Sequence, residues 1–248
     1  MNRELPTVNI LHLPIFSQSR EAAYEYLAKR IEEKKLTRIF TPNPEMLCRV
    51  NREKDLRALL LCADLLLPDG VGVALAARLK GTPIDERITG IDTGEWLLRY
   101  AAEHSLSVFL LGGKEGVSEM AKKMLCQKLP SLNVCGTHHG YFDKRKDGQE
   151  NQAVLQMIQK VKPDLLFVCF GFPAQERWIV ENAPSLPSLR LAIGLGGSLD
   201  VWSGKLKRAP KAVQKCGAEW LWRAIKEPKR FRRLTCLPRF LWVATRKD

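Results

Sequence analysis

The sequence predicts an α/β protein: a mostly parallel sheet with helices on both faces, followed by a basic helical appendage at the C-terminus. Three observations carry this. A unit of short apolar run, polar or glycine turn and helical spacing repeats along the chain, which is how parallel strands joined by crossover helices look in sequence. The 248 residues are 45% hydrophobic, enough for a full core without a disulfide or metal staple. Charge is uneven: of the net +13, residues 205–248 carry 14 Lys and Arg against 3 Asp and Glu, hence +11, leaving +2 for residues 1–204. A nearly neutral body (1–204) with a cationic appendage (205–248) calls for an anionic partner: a membrane, nucleic acid or a phosphorylated substrate.

Taken in order, Thr7–Leu13 reads as a first strand. Ser19 opens an amphipathic helix through Lys34, with Ala22, Ala23, Tyr26, Leu27, Arg30 and Ile31 at helical spacing. Thr37–Thr41 is a second strand, stopped by the two prolines of Thr41-Pro42-Asn43-Pro44-Glu45. Pro44 suits the first position of a helix; Asn43 either points at a ligand or caps that helix. In Asp64-Leu-Leu-Leu-Pro-Asp-Gly-Val-Gly72, Pro68 ends an apolar run and puts Asp69 at the carboxyl end of a strand, entering a helix over 71–80. Position alone leaves a helix cap and a catalytic carboxylate both open for Asp69. Arg87 follows among small polar residues, a surface charge or an anion clamp, before a helix through His104.

Ser107–Leu111 is a strand running into Gly112-Gly113-Lys114-Glu115-Gly116 and a helix to Leu129. Gly112 and Gly113 thus stand where a phosphate or nucleotide could be cradled, although Gly-Gly-x-x-Gly falls short of the dinucleotide fingerprint. Asn133–Gly136 begins another unit. His138 and His139 after it point in different directions on most backbones, so no shared metal is expected. A helix over Gln149–Val161, a strand over Leu165–Cys169, a polar cluster holding Gln175, and a strand over Leu189–Leu195 ending in Gly196-Gly197-Ser198 complete the body.

Parallel strands present their carboxyl ends together, so the turns at Thr41, Asp69, Gly112, Gly171 and Gly196 share one rim, where open α/β sheets bind ligands. Asn43, Arg87 and Gln175 can converge there with Asp69, which favours the catalytic carboxylate over the cap. In the appendage, helical spacing resumes at Lys211, and Pro228 and Pro238 divide the remainder into short helices. Aromatic residues interleave with arginines there, as suits a membrane interface, nucleic acid, or an apolar side packed on the body. Seven cysteines, an odd number with no Cys-x-x-Cys, fit buried thiols in a reducing cytosol and give no zinc site. The N-terminus does not read as a signal peptide, and no run of eighteen apolar residues exists to span a bilayer.

Several stretches resemble the WecG/TagA/CpsF glycosyltransferases. They are Thr41–Glu45, Leu67–Gly72, Arg87–Gly90, Leu111–Lys114, Gly140–Phe142, Gly171–Glu176, Gly194–Gly197, Arg208–Pro210 and Glu219–Arg223, in the family's order and over nearly the whole chain. The resemblance implies a Rossmann-like fold and inverting transfer of N-acetylmannosamine from UDP to the 4-hydroxyl of N-acetylglucosamine on undecaprenyl diphosphate, in wall teichoic acid linkage synthesis. It implies Asp69 as the base and Thr41, Asn43, Arg87 and Gln175 as pocket residues. The appendage would close the site at the membrane face and supply Arg223, Arg230 and Arg233.

The chemistry fits these residues independently. A sugar hydroxyl needs a positioned base, and departing UDP needs cations or fixed donors. No Asp-x-Asp occurs, so arginines rather than Mg²⁺ are expected, with no cofactor. The expected partners are a UDP-sugar donor, a polyprenyl-diphosphate-linked N-acetylglucosamine acceptor and an anionic membrane surface. The expected location is cytoplasmic, peripheral on the inner face of the bacterial membrane; a homo-oligomer is left open. One alternative keeps the fold and mechanism with another UDP-sugar for a different polysaccharide. The other is a nucleic-acid-binding module using the cationic tail, against which the near-neutral body and its polar rim argue.

Overall fold

The computed structural model describes residues 5–215, 219, 221–222 and 236–245. Its centre is a six-stranded, all-parallel sheet of β3 (Thr37–Phe40), β4 (Leu65–Leu66), β5 (Ser107–Gly112), β6 (Asn133–His138), β7 (Leu165–Cys169) and β8 (Leu191–Gly194). Across the sheet the order is β4-β3-β8-β7-β5-β6.

The strands read as continuous apolar runs because both faces are covered. Successive side chains go to opposite faces. Phe109 and Leu111 join one buried cluster with helices α2 (Pro44–Val50), α3 (Lys54–Leu61), α4 (Val71–Leu79), α7 (Gln149–Val161) and α8 (Ala174–Asn182). Val108 and Leu110 join the other, with α1 (Arg20–Glu32), α5 (Gly90–Glu103), α6 (Val117–Lys128) and α9 (Ser198–Trp202). Ser19 caps α1 as its position predicts, its hydroxyl accepting the Ala22 amide at 3.3 Å.

The first strand is where sequence and structure differ most. Thr7–Leu13 is not one strand but most of a hairpin outside the main sheet, β1 (Thr7–Ile10) antiparallel to β2 (Leu13–Phe16). Its turn residues Leu11 and His12 have φ of 53° and 62°. Two left-handed residues in succession give the turn that suits strand twist, and it is usually made with Asn and Gly. Pro14 sits opposite Asn9, one pair beyond the turn-closing pair Ile10 and Leu13. In antiparallel pairing that next position exchanges no backbone hydrogen bonds, so the missing N–H of Pro14 costs nothing.

In the appendage, α10 (Lys211–Lys215) and α11 (Cys236–Ala244) are described. Pro238 does not divide helices; it lies in the first turn of α11, where no N–H partner is needed. Phe240 and Ala244 are buried in the cluster shared with α2 and α4. For α11, then, the apolar side packs on the body.

Candidate active site

A cavity of about 540 Å³ opens over the carboxyl ends of β4, β3, β8 and β7, four neighbours in the sheet. Thr41 follows β3 at its floor. A Cβ on Gly90 would lie 2.9 Å from the Thr41 hydroxyl, so only glycine lets the start of α5 come this close to the end of β3.

That approach is what reaches Asp69. The residue capping α4 is Gly70, with no side-chain capping bond, so Asp69 does not cap the helix that follows it. Its Oδ2 instead accepts the backbone N–H of Gly90 at 3.3 Å, across 21 residues of chain. The Asp69 N–H donates to the Pro42 carbonyl at 3.2 Å, tying the β4 loop to the β3 loop. Asp69 and Thr41 thus share the cavity with the N-terminus of α5.

Asn43 lines the cavity and is also a helix cap, as the plainer reading of its position had it. Its Oδ1 accepts the amides of Glu45 and Met46 at 3.0 and 3.1 Å, so what it presents to a ligand is its Nδ2 donor. Arg87 stands on the wall and donates from Nη2 to the Gln214 carbonyl of α10 at 3.0 Å, joining the body to the appendage. Gln175 is buried; its Oε1 takes the amides of Gly171 (3.1 Å) and Gly196 (2.9 Å), bracing the loops after β7 and β8 against each other.

Gly112 and Gly113 are not brought to this cavity. A Cβ on Gly112 would run into the Cys169 carbonyl, and the Gly113 N–H donates to that same carbonyl at 3.3 Å. Gly113 in turn accepts from the Gly140 amide at 2.8 Å. These glycines let the loops after β5, β6 and β7 pack tightly, and the Gly113 donor is spent on protein rather than on a phosphate. Arg223, Arg230 and Arg233 lie outside the described residues.

Other wall residues escaped the sequence reading. Glu219 and Leu237 bring the appendage onto the cavity wall. Glu219 is buried and accepts from Arg208 Nε at 3.0 Å. The signal available was Arg208 itself, one basic residue in the run Lys205-Leu206-Lys207-Arg208. Among the described residues, no group of three or more His, Cys, Asp and Glu side chains is placed to hold a metal ion.

Beneath the rim, Glu176 is fully buried, and its Oε2 has no hydrogen-bond partner among the described residues. Burial pushes its carboxyl from the ordinary value of 4.5 up to about 7, against the opposing hydrogen bond from Gln175. Between those two values the folded protein keeps a proton that the unfolded chain has lost. Stability therefore falls as pH rises through this window and stays low above it. Glu176→Gln removes the titration. Its stability advantage over wild type should grow by up to about 3 kcal/mol between pH 4.5 and 8, followed by urea unfolding at each pH. An advantage constant with pH would show that Glu176 does not titrate there.

The WecG/TagA/CpsF glycosyl transferase family model matches residues 8–248. An N-acetylglucosaminyldiphosphoundecaprenol N-acetyl-beta-D-mannosaminyltransferase of Bacillus subtilis (strain 168) is 30% identical over 245 residues, covering 98% of this chain and 93% of the relative. The protein of the same name from Staphylococcus aureus (strain MRSA252) is 36% identical over 204 residues, 82% of this chain and 78% of the relative.

Proposed function

The chain belongs to the WecG/TagA/CpsF family of glycosyl transferases, and from that footing we propose that it transfers N-acetylmannosamine from UDP-N-acetylmannosamine to the 4-hydroxyl of the N-acetylglucosamine on undecaprenyl diphosphate. This would build the linkage unit of wall teichoic acid. The observation that carries the reading is the Asp69 carboxylate, turned into a rim cavity and held by the start of a distant helix rather than spent on capping its own. The names of the relatives support the donor sugar and the acceptor.

In this reaction the acceptor hydroxyl gives its proton to Asp69 as its oxygen attacks the anomeric carbon from the face opposite UDP. The bond to the UDP oxygen breaks with its electron pair, and the configuration inverts. Arg87, with Arg223, Arg230 and Arg233, meets the charge developing on the diphosphate, without a metal ion. Residues 1–204 form the catalytic body and 205–248 the closing appendage. The cavity volume is that of an ordinary small-molecule site.

No helix among the described residues is long and apolar enough to cross a membrane. The protein meets its lipid-borne acceptor as a peripheral protein on the inner face, with the exposed Trp242 of the basic appendage at the bilayer interface.

The deciding experiment offers a panel of UDP-sugars with a short-chain lipid-diphosphate N-acetylglucosamine acceptor, with and without EDTA. Transfer from UDP-N-acetylmannosamine above the other donors, giving a β-linked product and undiminished by EDTA, is expected. Preference for another UDP-sugar would reassign the donor, and loss of activity in EDTA would restore a metal to the mechanism.

A further inference from the structure

Arg208 meets three carboxylates where the appendage joins the body. Its Nη2 lies 2.6 Å from Asp92 Oδ1, its Nε 3.0 Å from Glu219 Oε1, and its Nη1 3.6 Å from Glu95 Oε1. Only 16% of its side chain is exposed, so the interactions are poorly screened by solvent. Asp92 and Glu95 belong to the start of α5, and Glu219 to the appendage and the cavity wall. One planar guanidinium therefore bridges the two parts.

The contacts continue inward. The second oxygen of Asp92 accepts the Thr89 hydroxyl at 2.6 Å, and Thr89 caps α5 by accepting the Asp92 amide at 3.2 Å. Burial alone would raise the Asp92 carboxyl; the Thr89 hydroxyl and the Arg208 guanidinium together hold it below its ordinary value. The next residue after the cap is Gly90, whose N–H holds Asp69. Arg208, Asp92, Thr89, Gly90 and Asp69 thus form an unbroken chain from the appendage to the carboxylate in the cavity.

We propose that Arg208 is a positioning residue: by clasping Glu219 on the cavity wall to Asp92 it fixes the first turn of α5 and, through it, the placement of the Asp69 carboxylate. The inference rests on the reading of Asp69 as the base of the transfer. The first turn of α5 is located by what Asp92 binds, and the Asp69–Gly90 contact is long enough, at 3.3 Å, to be lost by a small shift of that turn. A displacement of about 1 Å in a reacting group costs on the order of 100-fold in rate. Lysine cannot substitute. It keeps the charge but offers one point, whereas the fork of arginine engages two carboxylates at once.

The test uses the full-length protein with Arg208→Lys and Glu219→Gln. Two quantities are measured: the steady-state constants for the transfer, and amide hydrogen exchange over residues 90–93. In both variants kcat should fall about 10- to 100-fold with the donor KM within about threefold. Exchange at the start of α5 should accelerate by about tenfold in Arg208→Lys, and by less in Glu219→Gln. Glu219→Gln leaves the Arg208–Asp92 pair in place, so it tests the link to the appendage even if substitution at 208 prevents folding. Wild-type kcat in either variant, or wild-type exchange in Arg208→Lys, would overturn the proposal, as would a change confined to KM. Should the wild-type protein transfer no sugar at all, the functional reading fails, while the exchange measurement still decides whether the clasp orders α5.

Discussion

Asp69→Asn is expected to lower kcat for sugar transfer by about 10²- to 10⁴-fold while leaving the melting temperature nearly unchanged. The asparagine is isosteric and its Oδ1 can still accept the Gly90 amide, so the tie between β4 and α5 survives. What disappears is a group able to take the proton of the acceptor hydroxyl. The donor KM should hardly move, because the residues proposed for the diphosphate are left untouched; a fall in kcat at constant KM marks an interaction made in the transition state. Asp69→Ala should lose the same activity and some stability as well, since the Gly90 amide then has no acceptor there. Near-normal turnover by the asparagine variant would remove Asp69 as the base.

Removing residues 205–248 is the second large effect expected. Deletion takes away Glu219 and Leu237 from the cavity wall, the Gln214 carbonyl that holds Arg87, and the three arginines assigned to the diphosphate. Loss of one fixed donor to a developing charge already costs on the order of 10²–10³ in rate, so transfer should drop by at least about 10³-fold. The body should still unfold cooperatively. Among the described residues, one of its two buried clusters contains no appendage residue, and the other loses Phe240 and Ala244 together with their partly buried neighbours on α11. Circular dichroism and thermal melting of the 1–204 fragment, beside the transfer assay on membrane-embedded acceptor, check both halves. A truncated protein that works at the wild-type rate would refute the role given to the appendage.

Elements whose ends are marked by local chemistry were legible residue by residue. Helix α7 (Gln149–Val161) and strand β7 (Leu165–Cys169) fall where their spacing placed them, separated by Pro163, which neither can contain. The hairpin of β1 and β2 was not legible, because Leu11 and His12 adopt a turn without the Gly or Asn that announces one. At the rim, Thr41, Asp69, Asn43, Arg87 and Gln175 do gather in one cavity. Gly112 and Gly113, on the same rim, do not, because the cavity spans β4, β3, β8 and β7 while they end β5 on the far side of β7. The sequence repeats βα units but does not say in what lateral order they lie.

The sequence by itself determined the parallel α/β architecture, the rim on which polar residues collect, and the concentration of positive charge in the last forty-odd residues. These are local properties: periodicity shows which face of an element is buried, and proline and glycine show where it ends. Only the tertiary structure decided that Asp69 turns to Gly90 instead of capping α4, that Asn43 spends its carbonyl on a cap, and that one arginine of a basic run is enclosed by three carboxylates. Each of these depends on what lies next to a side chain in space. Arg208 and Asp92 are 116 residues apart, and no local periodicity encodes a contact across that distance; packing of the sheet and its two helical layers brings them together.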